Sequence, residues 1–291
     1  MERHGGEVLR IARDLGLNPK EILDFSSNTN PLGPPNSLLD SINKAKDFIT
    51  FYPDEEYLDF RRALSDYLGI SFEEVIEANG ATELIHIFTN LVKEGSKAII
   101  PIPTFSEYEK ACRNLKVTFV ALEDGLEGIL KEMEDFSLIF LCNPNNPDSH
   151  LFEKQELYEL LKRAEGKKAF ILLDESFLPF LLKEEDYTLV KDVRKYKRLL
   201  IVRSLTKFFC LPGVRVGFGV AHEDLVKEIR CIKPSWSLNC FAERICIDAL
   251  KDQEYIEKTK ALISREKDYL YEEIKRIHYP YKPKANFLLV R

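Results

Sequence analysis

Seven short stretches of the chain are largely apolar without strict alternation: Val75–Ala78, Lys97–Pro101, Val117–Leu122, Leu138–Cys142, Phe170–Leu173, Leu199–Val202 and Val216–Val220. A strand with one wet face alternates apolar and polar side chains; a strand covered on both faces does not. Helical stretches lie between several of these runs. Thr82–Val92 follows an Asn-Gly turn, and Glu153–Ala164 follows a proline-rich loop and stops at Gly166. The alternation predicts an α/β fold. Its centre is a mostly parallel seven-stranded sheet with helices on both faces, and a smaller α+β domain is attached.

The ends of the chain read differently from its middle. Residues 1–45 form an N-terminal segment that contributes to the smaller domain. They hold a short helix, Glu7–Leu15, and then the polar, proline-rich stretch Ser26 to Pro35, which must run as extended or turn structure. Residues 46–239 form the large domain. Residues 240–291 complete the small one, with a long charged helix up to Arg276, a break at Pro280 and Pro283, and a strand-like run at Phe287–Val290. There is no internal repeat.

Net charge is −6 with no block of like charges, which argues against nucleic acid or an anionic membrane as the main partner. No apolar run approaches the roughly 18 residues of a membrane helix. The opening residues, Met1 to Gly6, lack the apolar stretch of a signal peptide, so a cytoplasmic location is expected. The six cysteines form no C-x-x-C pair, so no metal site is expected and buried free thiols are. Gly213, Gly217 and Gly219 do not make the turn of a dinucleotide-binding strand, which sets a nicotinamide cofactor aside.

Several residues suited to chemistry fall at the ends of the predicted strands. Lys207, in Ser204-Leu205-Thr206-Lys207, follows one of them. A partly buried lysine can lose its charge and attack an aldehyde. Ser204, Thr206 and Arg215 offer two hydroxyls and a guanidinium, a set suited to a phosphate dianion. Asp174 ends another apolar run, where a carboxylate is unfavourable unless it meets a cation. A pyridinium N–H would be one. Asn146 lies in Asn143-Pro144-Asn145-Asn146-Pro147, a loop stiffened by its prolines and able to aim an amide. Gly80, Ala81 and Thr82 open a helix with backbone N–H groups that suit an anion. Phe105 presents an aromatic face that could stack on a planar ring. Alone, each has an ordinary explanation as a surface lysine, a cap, a turn or core packing. Together they stand at successive strand ends, where open α/β sheets bind ligands.

At these residues the sequence resembles the fold-type I enzymes that depend on pyridoxal 5'-phosphate (PLP), over essentially the whole chain. The Asn-Pro-Asn-Asn-Pro segment and the Ser-Leu-Thr-Lys-Phe…Pro-Gly-Val-Arg-Val-Gly segment carry the likeness. The resemblance implies that Lys207 would link to the cofactor and shuttle protons. Asp174 would pair with the pyridine nitrogen, Asn146 would meet the phenolic oxygen, and Phe105 would stack on the ring. Gly80, Ala81, Thr82, Ser204, Thr206 and Arg215 would surround the phosphate. Tyr52 would reach the cofactor phosphate of a neighbouring subunit, which implies a homodimer with shared sites.

Two branches of that family compete. The Asn-Pro-Leu-Gly and Tyr-Pro-Asp features are common to histidinol-phosphate aminotransferases and threonine-phosphate decarboxylases. His4-Gly5-Gly6, Leu23 to Asn28, the Phe-Phe after Lys207 and Pro234 to Asn239 look like the decarboxylase, as does Phe177 where aminotransferases usually place a tyrosine. The resemblance then implies a small phosphorylated amino-acid substrate, with His4 and Asn28 near its phosphate. The enzyme would hold the bond to the carboxylate across the cofactor ring. An aminotransferase would align the C–H bond instead. The family's small domain normally runs past position 291 and carries an arginine that clamps the substrate carboxylate; Arg291 is not assigned that role. A PLP-binding protein without catalysis is the expectation of a third class.

Overall fold

In the computed structural model, residues 5–291 are described, apart from the Leu39 side chain. All seven predicted strands form. They are β1 (Val75–Ala78), β2 (Lys97–Ile102), β3 (Lys116–Ala121), β4 (Leu138–Cys142), β5 (Phe170–Asp174), β6 (Leu199–Ser204) and β7 (Gly217–Ala221). They make one sheet in the order β1-β7-β6-β5-β4-β2-β3. Pairing is parallel from β6 across to β3, while β7 runs antiparallel to both of its neighbours.

Helices cover the sheet on both sides. In chain order they are α1 (Val8–Leu15), α2 (Leu38–Ala45), α3 (Leu58–Leu68), α4 (Ala81–Phe88), α5 (Glu107–Ala111), α6 (Gly125–Glu132), α7 (Lys154–Gly166), α8 (Leu205–Phe208), α9 (Glu223–Ile232), α10 (Cys240–Ala249) and α11 (Gln253–Lys275). Alternate residues of each strand enter opposite cores. In β5, Ile171 and Leu173 pack with α3, α7 and α10, whereas Phe170 and Leu172 pack with α4 and α9. Burial on both faces is why the strand runs are apolar throughout.

Two expectations at the C-terminal end are corrected. The long charged helix from about 240 is two helices. Asp252 ends the continuity because its carboxylate accepts from the Tyr255 backbone N–H at 3.0 Å and caps α11 afresh. Phe287–Val290 is not a strand of the sheet; that region makes one isolated bridge, Pro280 to Val290. Pro280 and Pro283 have no N–H to extend a ladder.

Asn30 ties three separated parts of the chain together. Its backbone N–H donates to the Lys207 carbonyl at 3.0 Å. Its amide donates to the Phe208 carbonyl and to Thr259 Oγ1, both at 2.8 Å. Asn30 is 2% exposed, so removing the amide takes a donor from Thr259 Oγ1 and leaves the Phe208 carbonyl with only the Tyr255 hydroxyl at 3.3 Å. Asn30→Ala is expected to lower stability by about 1–3 kcal/mol, read as a lower urea midpoint in equilibrium unfolding.

Candidate active site

The parallel strands all end on one edge of the sheet, and β7 begins there. Gly217, its first residue, is paired with Ala78 at the end of β1 and with Ser204 at the end of β6. The antiparallel strand therefore delivers Arg215 from its amino end to the place where β1, β2, β4, β5 and β6 deliver residues from their carboxyl ends. Gly217 permits this closeness: a Cβ there would stand 2.5 Å from the Ala81 nitrogen.

A cavity of about 480 Å³ opens at this edge. Ala81, Thr82, Phe105, Asn146, Asp174, Ser204, Thr206, Lys207, Arg215 and Asn28 all line it. Larger grooves elsewhere on the surface have none of these residues. Gly80 stands just behind the wall. Its φ of +72 and its contact with Arg215 (a Cβ would lie 2.6 Å from a guanidinium nitrogen) admit no other residue without strain. Tyr52 lies outside the cavity, 81% exposed, with its ring 4.9 Å from that of Trp236. His4 lies outside the described residues.

One end of the cavity is built for an anion. The first N–H groups of α4 open there with Thr82, and Arg215 adds a fixed charge. Arg215 has a φ of +59, an uncommon conformation for a residue with a side chain. The two hydroxyls differ. Ser204 accepts from the Thr206 backbone N–H at 3.2 Å, which leaves its own proton to donate. The Thr206 hydroxyl donates to the Val216 carbonyl at 3.4 Å.

The other end holds a buried carboxylate and a buried amine. Asp174 is 5% exposed, and among the described residues no ion pair reaches it. Oδ1 accepts from the Ser176 backbone N–H and Oδ2 from the Tyr108 hydroxyl, both at 2.9 Å. Burial still raises its pKa above the ordinary 3.8. Lys207 is shifted the opposite way. Burial lowers its pKa, and the positive charge of Arg215 lowers it further, against the pull of Asp174 and Asp24. The site thus shifts Lys207 toward its neutral amine, beside a carboxylate that no ion pair reaches among the described residues.

The proline-stiffened loop divides its three asparagines between two tasks. Asn143 exchanges hydrogen bonds with the backbone of Phe152, and Asn145 bonds Pro103, Thr104 and Asp148. Only Asn146 lines the cavity. Tyr108 and Ser176 also line the cavity and were given no role from the sequence, while Ser26, Ser27, Gly5 and Gly6 line it as part of segments that carry the family resemblance. Tyr108 had a signal, since it lies one helical turn after Phe105. Ser176 had none, because small polar residues in loops are ubiquitous.

The sequence profile described as Aminotransferase class I and II matches residues 20–291, and the chain belongs to this family of PLP-dependent enzymes. It is 34% identical over 275 residues to a protein of Caldanaerobacter subterraneus provisionally named threonine-phosphate decarboxylase, spanning 91% of this chain and 74% of that one. The crystal structure of the histidinol-phosphate aminotransferase from Clostridium acetobutylicum superposes with a TM-score of 0.86 at 33% identity, covering 93% of this chain and 83% of that one. A histidinol-phosphate aminotransferase from Sinorhizobium meliloti in complex with pyridoxal-5'-phosphate shares the fold, with a TM-score of 0.82, 20% identity, and coverage of 91% and 74%. The residues present fit that cofactor. A carboxylate without a cation suits a ring N–H, a lysine shifted toward its neutral form suits an aldehyde, and a helix N-terminus with an arginine suits a phosphate.

A carboxylate whose folded pKa is raised opposes folding when charged. Its contribution is harmless well below pH 3.8 and grows as pH rises through the folded value. The cofactor-free Asp174→Asn protein is therefore expected to be more stable than the parent at neutral pH. The difference should vanish in acid, as read from melting temperatures across a pH series.

Proposed function

We propose that this chain is a carboxy-lyase that converts L-threonine O-3-phosphate to aminopropanol phosphate and CO2. Lys207 carries the PLP, Asp174 meets the ring nitrogen, Asn146 the phenolic oxygen, and Phe105 the ring face. Ala81, Thr82, Ser204, Thr206 and Arg215 take the phosphate, with Gly80 shaping the turn beneath it. The bound cofactor supplies an electron sink for charge that develops at the substrate's Cα. The carboxylate would leave as CO2, and Lys207, freed from the cofactor when the substrate's amine takes its place, would deliver the proton that replaces it at that carbon.

The observation that carries the decarboxylase reading is the part of the cavity wall that the N-terminal segment supplies. Gly5, Gly6, Ser26, Ser27 and Asn28 line it, and these belong to the segments that resemble the decarboxylase branch. Asn28 is fixed there, because its carbonyl accepts from the Asn286 amide at 3.0 Å. His4 and Asn28 are proposed for the substrate phosphate. Phe177 also lines the cavity and brings no hydroxyl to it. The named relative at 34% identity supports the same reading. The second reading, an aminotransferase acting on histidinol phosphate, is supported by the 0.86 TM-score to an enzyme of that name.

A second copy of the chain belongs to the proposal. Tyr52 is exposed, braced on Trp236, and outside its own cavity, which suits a residue that reaches a neighbour's phosphate. A cytoplasmic setting is supported by six free cysteines. Among the described residues no helix is long and apolar enough to cross a membrane.

The test uses purified protein loaded with PLP, followed by visible absorbance and CO2 release on adding O-phospho-L-threonine. A shift of the lysine-linked band with stoichiometric CO2 is expected. Bleaching of the band without CO2, with a keto product, would establish the aminotransferase instead. A band indifferent to O-phospho-L-threonine, and to histidinol phosphate added separately, would leave a cofactor-binding protein without catalysis. Lys207→Ala is expected to abolish the lysine-linked band and lower turnover by a factor on the order of 10²–10⁴. Sedimentation of Tyr52→Ala, with and without cofactor, checks whether the chain pairs and whether cofactor binding weakens in the pair.

A further inference from the structure

Tyr108 is fully buried on α5, and its hydroxyl donates to Asp174 Oδ2 at 2.9 Å. Its ring cannot swing away. It lies against Phe140 at 5.6 Å between centroids with 27° between planes, and meets Phe105 edge-on at 5.6 Å. A single turn of chain thus carries both the aromatic residue at the cavity wall and the holder of the carboxylate. Oδ1 of the same carboxylate is held by the Ser176 N–H at 2.9 Å, so both oxygens are fixed by donors and the plane of the group is set.

We propose that Tyr108 is a positioning residue that keeps Asp174 as an aimed anion and thereby helps hold the proton on the ring nitrogen of the cofactor. The inference rests on the cofactor reading above. The physical point is that both donors are uncharged. A lysine or arginine on Asp174 would also favour the anion, but it would neutralise the charge that must attract a ring cation. A hydroxyl stabilises the anion and leaves its charge intact. Ring nitrogen and carboxylate compete for one proton. Removing the hydroxyl strands Oδ2 in a buried place, raises the carboxylate's proton affinity, and draws the proton away from the ring.

The Ser176 side chain also bonds Asp174 and lowers its proton affinity, so it shares this task with Tyr108; the remaining groups facing the carboxylate do not supply the effect. Cys142, across the β4–β5 pair, has its thiol pKa pushed up by burial and stays neutral. Glu175, the residue after β5, points into an ion pair with Arg203 at 2.8 Å. Lys207 is committed to the cofactor in the proposed site. Burial and the neighbouring Asp174 push the Tyr108 hydroxyl pKa well above its usual value, so it remains a donor across the working pH range.

The experiment loads the full chain with PLP labelled with ¹⁵N in the ring, and compares the parent with Tyr108→Phe, which keeps the ring packing and deletes the hydroxyl. The ring ¹⁵N resonance is expected to move toward the unprotonated position. The cofactor Kd is expected to rise about tenfold or more, and the acid limb of binding to shift to higher pH. Phe140→Leu, which loosens the packing and keeps the hydroxyl, should change Kd without moving the resonance. In an Asp174→Asn background, Tyr108→Phe should add nothing further. A uniform weakening in Tyr108→Phe, with resonance and acid limb unmoved, overturns the inference and leaves Tyr108 as core packing. If the parent shows no lysine-linked cofactor at all, the cofactor reading fails first, and the two failures are told apart by that control.

Discussion

A sheet buried on both faces can place polar chemistry only at the ends of its strands. Here that constraint governs everything downstream. The cores on either side are filled by alternate residues of each strand, so a charged group within a strand needs a partner of its own, as Glu77 in β1 has in Arg230 and Lys233. At the carboxyl edge the backbone leaves the sheet, and Asp174, Ser204 and the turn at Gly80 emerge together. Reversing β7 adds one element that a wholly parallel sheet would lack. It brings Arg215 in from an amino end, against a glycine-lined turn that leaves it room.

The electrostatics of the cavity follow from that convergence. Burial works against both the Lys207 ammonium and the Asp174 carboxylate, and each is pushed toward its neutral form. Arg215 adds to the effect on Lys207. A short distance behind, Arg203 and Glu175 are equally buried but paired with each other at 2.8 Å. The difference between an ion pair behind the site and an uncancelled carboxylate within it separates scaffold from chemistry, although Asp174 and Glu175 are adjacent in sequence.

Much of this was legible beforehand. All seven strands were readable because continuous apolarity has one economical explanation in a chain of this composition. The cavity residues from Ala81 to Arg215 were readable because strand ends are where such folds bind ligands. The continuous helix expected after 240 failed on a local competition, since the Asp252 carboxylate caps a new helix start rather than riding within one. The strand expected at Phe287–Val290 failed because strand-like composition does not provide a partner, and only Val290 found one.

The sequence by itself determined the period of burial, and so the layered α/β architecture. It also determined the supply of a lysine, an aspartate, an arginine and hydroxyls at the right strand ends, which places the chain in its family. Tertiary structure alone decided which of those groups keep their charge and which asparagine of three faces the cavity. It alone joined Tyr108 to Asp174 across 66 positions and closed the wall with Gly5 and Gly6. The reason is physical: burial periodicity is a local property of the chain, whereas proton affinity and hydrogen-bond partners depend on neighbours that only folding brings within 3 Å of each other.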